Sequence, residues 1–186
     1  MAGMKRRRGS LAAVAILAGL GLCSCVGGFS VDRRGGIVRY NSRTHTASTA
    51  QKSLQAGILP DEWSGPKLQL KQLVYHNDDI GGTIVADALC GPKFNDAPLP
   101  RLAADLFASI GNAKNGKGRK LVVDGRDAYR LTGAGQVDGV PVMMDAVVYK
   151  KNYCLVDAVY FAPPETFGRG ISDFEGYFHG LRLHEE

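Results

Sequence analysis

Hydrophobic and polar residues alternate along two stretches in the first half of the chain. Residues 68–76 place an apolar side chain at about every second position, as a half-buried strand does, and the polar residues 77–79 then break the pattern as a turn does. Residues 82–90 form a second stretch of this kind, which ends at Gly91 and Pro92. The pattern therefore predicts two neighbouring strands.

The period changes to that of a helix after the next loop. Residues 99–110 carry apolar side chains three or four positions apart, and residues 167–181 repeat this spacing near the end of the chain. Between the two predicted helices, a run rich in Gly, Lys and Asn at 111–119 indicates a loop. Three further strands are predicted at 121–132, 140–150 and 153–161.

The order of these elements favours an antiparallel sheet with helices packed on it, because neighbouring strands are joined by short turns. The stretch before them is harder to interpret: residues 37–40 have the pattern of a strand and residues 46–54 that of a short helix. We expect residues 36–186 to form a single α+β domain. Its best-defined part, residues 55–183, has the length of one core and not of two.

Several features of that part occur together in one known family. The chain has a Pro-x-x-Trp opening at Pro60 and Trp63, a hairpin preceded by residues 124–129, and a closing amphipathic helix that contains Phe174. This combination resembles the PsbP-like fold, shared by the photosystem protein PsbP and the Ran-binding Mog-type proteins. The resemblance implies an αβα sandwich that serves as a non-catalytic accessory or interaction module. The photosystem and Ran activities are not implied, because no residue here matches them individually.

The first 24 residues have the pattern of an export signal. Four basic residues at positions 5–8 precede a run of small and aliphatic residues at 11–22, which is the order of a secretory signal peptide. The apolar run is shorter than the roughly 20 residues that a membrane-spanning helix needs. We therefore predict a signal peptide over residues 1–24, and its arginines also leave a twin-arginine export route open.

Cys25 stands at the position that bacterial lipoproteins modify. Leu22 and Ser24 resemble the residues of the lipobox before that cysteine, so the resemblance implies that acyl chains on Cys25 hold the mature protein to a membrane of the cell envelope. Residues 25–35 would then be the lipidated cysteine and its tether, with the domain facing the periplasm. Val26, by similarity to the enterobacterial sorting rule, favours the outer membrane. The alternative is an ordinary secretory peptide with incidental cysteines.

Removal of the signal peptide changes the charge of the protein. The chain has 23 basic and 18 acidic residues, and four of the basic residues lie in the signal, so the mature formal charge is 19 − 18 = +1. The short basic stretch of Lys114, Lys117, Arg119 and Lys120 is too small for the clustered footprint of a nucleic-acid-binding protein. We expect no nucleic-acid partner, but a membrane contact through the lipid and a protein partner in the envelope.

Cys90 and Cys154 are the two cysteines that follow the predicted lipidation site. An even number of cysteines in an oxidising compartment favours a disulfide. Alternation places each of them on a strand face of small apolar residues, which has the composition of a core. The bridge is therefore the favoured interpretation, and two buried free thiols are the alternative.

Asp87, Asp145 and Asp157 each stand among apolar residues on one face of a predicted strand. If the three faces coincide, they form an apolar groove with an acidic centre, which suits a small cationic or amphipathic ligand. The alternative is that each Asp pairs with an arginine such as Arg126 or Arg130, or faces water.

No catalytic or metal-binding constellation stands out in the sequence. His179 and His184 are five positions apart, which is not a metal-ligand spacing, and the pair Ser64-Gly65 lacks the frame of a nucleophile elbow. We therefore predict a non-enzymatic accessory or interaction module that binds neither a cofactor nor a metal. The alternative is a periplasmic carrier or sensor for a small amphipathic ligand, and an envelope hydrolase is a weaker third hypothesis.

Overall fold

A computed structural model describes residues 35–91 and 97–184. The predicted signal peptide at 1–24, the predicted lipidation site Cys25 and all but the last residue of the predicted tether lie outside the described residues. Among the described residues, no helix is both long and apolar enough to cross a bilayer.

Residues 35–91 and 97–184 fold into two antiparallel sheets and two α-helices, which confirms the predicted single α+β domain. In chain order the elements are β1 (Arg39–Asn41), β2 (Thr46–Ser48), β3 (Ser53–Gln55), β4 (Ser64–Gln69), β5 (Gln72–Asn77), β6 (Gly82–Cys90), α1 (Leu99–Phe107), β7 (Gly111–Val123), β8 (Arg126–Val137), β9 (Val140–Lys151), β10 (Cys154–Ala162), α2 (Ile171–Gly180) and β11 (Arg182–His184).

The larger sheet has seven strands in the order β4-β5-β6-β10-β9-β8-β7, and the smaller sheet has four in the order β1-β2-β3-β11. Every pairing is antiparallel. The last strand, β11, returns to pair with β3, so the two ends of the domain meet in the smaller sheet.

Both faces of the larger sheet are buried along its central strands. One face packs against α2 and the inner side of the smaller sheet, where Phe174, Phe178, Leu54 and Leu183 are at most 1% exposed. The other face packs against α1, where Phe107 and the central strands β8 and β9 form a second cluster of buried apolar residues. The result is the layered α/β/α arrangement that the resemblance implied.

Trp63 lies at the junction between the larger sheet and α2. Its ring is buried and meets that of Tyr160 edge to face, with centroids 6.1 Å apart. Its indole N–H donates a hydrogen bond of 3.0 Å to Asp173 in the first turn of α2, where a carboxylate also interacts favourably with the helix dipole. The Trp of the Pro-x-x-Trp opening therefore holds the closing helix on the sheet.

Cys90 and Cys154 are directly opposite each other on β6 and β10 and form a disulfide. The faces that carry them are made of small, buried residues, as predicted. The bridge joins residues 64 positions apart and therefore restricts the unfolded chain substantially.

Four local predictions were wrong. Residues 68–76 are two strands and not one, because Leu70 and Lys71 form a hairpin turn with positive φ values of 47° and 66°, a conformation that alternation does not reveal. Residues 46–54 form β2 and β3 and not a helix. These strands have only three residues each, so their local pattern is weak, and β3 is held by pairing with the distant β11.

The third error concerns residues 111–119, which belong to β7 and not to a loop. This strand is an edge of the larger sheet and is exposed on both faces along most of its length, so apolar residues do not mark it. Two register shifts interrupt its pairing with β8, and bulges and lysines are features that keep edge strands from pairing with other chains. Asp124 and Gly125 then form the hairpin turn to β8, both with positive φ. The fourth error is therefore the single strand predicted over residues 121–132, which belong to β7 and β8 on either side of this turn.

Candidate functional site

The three aspartates proposed to line one groove do not share a face. Asp87 and Asp157 are direct partners across β6 and β10, whereas Asp145 is opposite Tyr160. Because Tyr160 and Asp157 are three positions apart on one strand, their side chains point to opposite faces. The groove hypothesis is therefore wrong. Alternation gives the faces within each strand correctly, but the alignment between strands depends on register.

Asp145 instead forms a buried ion pair with Arg130 on the face that packs against α2. The guanidinium donates from Nη2 and Nε to one carboxylate oxygen, at 2.6 and 2.9 Å, and the Thr132 hydroxyl donates to the other at 3.3 Å. The two charged side chains are only 8% and 1% exposed. Pairing with Arg130 was the alternative considered for these aspartates, and it is correct for Asp145.

Arg130 has a second acidic partner, Glu175 of α2, at 2.8 Å, and its guanidinium carbon lies 5.4 Å from the centre of the Phe178 ring. Burial disfavours the charged form, but the hydrogen bonds and charges of Asp145 and Glu175 outweigh it and raise the pKa of Arg130. The guanidinium is thus fully engaged in joining β8, β9 and α2. This cluster is a structural device.

Asp87 and Asp157 lie on the opposite face, the one that packs against α1, and both are at most 5% exposed. Asp87 accepts a hydrogen bond of 2.8 Å from the backbone N–H of Ala88 and one of 3.4 Å from the Gln72 side chain. Neither aspartate lines the two cavities described in this structure.

An open site lies elsewhere, on the outer face of the smaller sheet. A cavity of about 770 Å³, which we term the hairpin pocket, lies against the β1–β2 hairpin and the start of β3. Its polar lining includes Arg39, Asn41, Arg43, Thr46, Ser48 and Ser53. The sequence analysis missed this site.

Alternation along the short strands produces the two-sided character of the smaller sheet. Ala47 and Leu54 point to the core and are fully buried, so the residues on either side of them, such as Thr46 and Ser53, point outward. Pairing places Arg39 beside Ser48 on this outer face. The apolar side anchors the sheet and the polar side remains accessible.

The loop between β1 and β2 is ordered by its own hydrogen bonds. The Asn41 side chain accepts a bond of 3.0 Å from the backbone N–H of Arg43, and the Gln55 amide donates one of 3.0 Å to the carbonyl of Thr44. His45 has a positive φ of 49° and contacts the hydroxyl of Tyr40 at 3.1 Å. These bonds hold the rim of the hairpin pocket in a defined shape.

The hairpin pocket is cationic. Residues 35–60 contain Arg39, Arg43, Lys52 and no acidic residue. Within the described residues, the side chains of Arg39 and Arg43 form no hydrogen bond or ion pair. Burial raises the pKa of Tyr40, which also lines the cavity. Such a surface is chemically suited to an anion and not to a cation.

The signal that could have revealed this site is the absence of acids between residues 33 and 60. The net charge of the mature chain is close to zero and therefore does not reveal the local excess of positive charge in this segment. Metal binding has no comparable support: nowhere in residues 35–91 and 97–184 do three His, Cys, Asp or Glu side chains come together as ligands.

The fold and the site together define an α+β protein of PsbP-like architecture with an open polar pocket on its smaller sheet. The solution structure of cyanobacterial PsbP (CyanoP) from Synechocystis sp. PCC 6803 is similar over 90% of this chain and 99% of its own, with a TM-score of 0.52 and 12% identity. LpqN, described as involved in cell envelope biogenesis of Mycobacterium tuberculosis, is similar over 71% of this chain and 84% of its own, with a TM-score of 0.50 and 14% identity.

A third solved structure, from Bacteroides thetaiotaomicron, is similar over 74% of this chain and 46% of its own, with a TM-score of 0.50 and 13% identity. At these identities the similarity establishes the fold and nothing finer. No protein-family model matches the chain. No curated protein matches it either.

Proposed function

We propose that this protein is a non-catalytic lipoprotein of the bacterial cell envelope, anchored through acyl chains on Cys25 and acting as an accessory or interaction module. The observation that carries this proposal is the distribution of polar groups. The buried ion pair of Arg130 and Asp145 is used to hold β8, β9 and α2 together, whereas the open polar groups lie on a surface suited to recognition. No nucleophile, base and orienting group converge in a cleft of the described residues.

Three further observations support an envelope location. The lipobox-like residues before Cys25 point to lipidation, and Val26 favours the outer membrane with the domain facing the periplasm. The Cys90–Cys154 disulfide suits an oxidising compartment. The similar protein LpqN is described as involved in cell envelope biogenesis. Several acyl chains would anchor a small domain stably, because one chain alone gives only marginal binding.

The structure does not support a carrier or sensor that binds a small amphipathic ligand at the three aspartates. Such a protein needs an apolar sheet face with three aspartates at its centre, and both faces of the larger sheet are covered by other elements along its central strands. The hydrolase hypothesis is not supported either, because the buried Arg130 is engaged by Asp145 and Glu175.

The anchor is tested by growing cells with a labelled fatty acid and measuring the mass of the N-terminal peptide. We expect acyl label on the unaltered chain, loss of label and of membrane fractionation in Cys25→Ser, and retention of both in Cys23→Ser. An unlabelled chain, or equal loss in both variants, would contradict the proposal.

The accessory role is tested by chemical crosslinking in native membranes, followed by mass spectrometry of the captured complexes. An interaction module should give one reproducible protein partner, which Cys25→Ser should lose because the domain is no longer held at the membrane. If repeated experiments capture no common partner, the accessory role is wrong even where lipidation is found.

A further inference from the structure

We infer that the hairpin pocket binds the phosphate head groups of anionic phospholipids in the membrane that anchors the chain. This inference rests on the proposed lipid anchor and adds a second membrane contact, made by the folded domain itself. It assigns a ligand class to Arg39, Arg43 and the hydroxyl groups between them.

The chemistry of the pocket matches a phosphate group. A guanidinium presents a planar set of donors that fits phosphate oxygens, and Arg39 and Arg43 both line the cavity without partners among the described residues. Ser48 and Ser53 add hydroxyl donors on the same face. Since residues 35–60 contain no carboxylate, no acidic group from this segment competes for the arginines.

The anchor would bring this face close to the bilayer. Gly35 lies ten positions after Cys25, and ten residue steps span at most about 36 Å when fully extended. A Cβ atom on Gly35 would overlap the carbonyl oxygen of Cys90, so the backbone lies tightly against the end of β6 at this point. The position where the described chain begins is therefore fixed relative to the fold.

That position is on the side of the smaller sheet. Gly35 and Cys90 line a second cavity of about 230 Å³ together with Thr49 and Gln51, which belong to the turn between β2 and β3. The first strand, β1, begins only four residues after Gly35. A lipid on Cys25 would therefore tether the domain through the segment that leads into β1, and β1 lines the hairpin pocket.

The charge distribution along the chain agrees with this orientation. Residues 33–60 contain five basic and no acidic residues, a net charge of +5, whereas residues 61–184 contain 14 basic and 15 acidic residues, a net charge of −1. Clusters of four to eight basic residues next to a membrane anchor attract anionic lipids. The basic residues of β7 offer charge as well, but they lie on an exposed edge strand without a described cavity.

The test uses the full acylated chain purified in a non-ionic detergent and examined by native mass spectrometry. Phosphatidylglycerol, phosphatidylcholine or inorganic phosphate is added in turn. We expect phosphatidylglycerol to bind in preference to phosphatidylcholine, and Arg39→Gln with Arg43→Gln to weaken its binding about thirtyfold. Lys114→Gln with Lys117→Gln removes the same charge from β7 and should change binding less than about twofold.

Each other outcome overturns a defined part of the inference. Equal losses in the two double variants would mean that net charge alone attracts the lipid. Equal binding of the two phospholipids would exclude recognition of anionic head groups, and displacement by an equal concentration of inorganic phosphate would make the pocket a site for the free anion. An unchanged urea midpoint in the arginine variant verifies that it is folded.

The same native mass spectra test the proposed lipid anchor and the inferred head-group binding independently. The intact mass reports whether Cys25 carries acyl chains. A chain without acyl mass would contradict the lipoprotein proposal, whereas an acylated chain that shows no preference between phospholipids would contradict the head-group inference alone.

Discussion

The two sheets of this protein use polar residues in opposite ways. The central strands of the seven-stranded sheet are covered on both faces, and the buried Arg130 is paired with Asp145 and Glu175. The four-stranded sheet is covered on one face only, and Arg39 and Arg43 on its open side have no partner among the described residues. Removing one partner of a buried ion pair leaves an uncompensated charge and destabilises the fold, whereas an unpaired charge at an accessible surface is available to a ligand.

We expect the largest loss of stability from a substitution in the buried ion pair of the seven-stranded sheet. Asp145→Ala leaves the Arg130 guanidinium buried without its main partner and should lower the free energy of unfolding by about 3–5 kcal/mol. Asp105→Ala removes an exposed ion pair with Arg101 and should cost no more than about 1 kcal/mol. Urea unfolding followed by circular dichroism measures both. Similar losses of unfolding free energy in the two variants would refute the distinction between buried and exposed ion pairs.

The disulfide is expected to have the second largest effect. Replacing both Cys90 and Cys154 by alanine should lower the free energy of unfolding by about 2–4 kcal/mol, because the unfolded chain regains the freedom that the bridge removes. A reducing agent should destabilise the original protein by a similar amount and leave the double variant unchanged. If the reducing agent lowers the free energy of unfolding of both proteins equally, loss of the disulfide does not explain the destabilisation.

A smaller loss is expected where α2 docks on the larger sheet. Trp63→Phe keeps an aromatic ring but removes the N–H that donates to Asp173, and should cost about 1–3 kcal/mol. Asp173→Asn retains an oxygen acceptor and should cost less. If urea titration shows a larger loss of stability for Asp173→Asn than for Trp63→Phe, the indole contributes through its ring alone and not through its N–H.

The smallest effect should come from the open face of the four-stranded sheet. Arg39→Gln with Arg43→Gln should change the free energy of unfolding by no more than about 0.5 kcal/mol, as substitutions of exposed residues without partners usually do. The same titration that measures Asp145→Ala provides this value. A loss above about 2 kcal/mol would mean that these arginines support the fold, and the contrast between the two sheets would disappear.

Much of the larger sheet follows from local sequence. β6 has the predicted bounds of 82–90, and the two helices lie where the spacing of apolar residues placed them. Cys90 and Cys154 meet because each belongs to a strand face of small residues, which alternation identifies correctly. These predictions succeed because the period of a strand or a helix is a property of neighbouring residues.

Pairing between strands was decided by the tertiary structure. Asp145 and Asp157 have equivalent surroundings within their own strands, yet the register of β9 against β10 sends them to opposite faces. The smaller sheet depends on β11, whose residues 182–184 pair with residues 53–55, and three-residue strands carry too little pattern to reveal such a contact. Local sequence determines which side of a strand a residue takes, but only packing determines which strands lie together, since register and long-range pairing are collective properties of the folded chain.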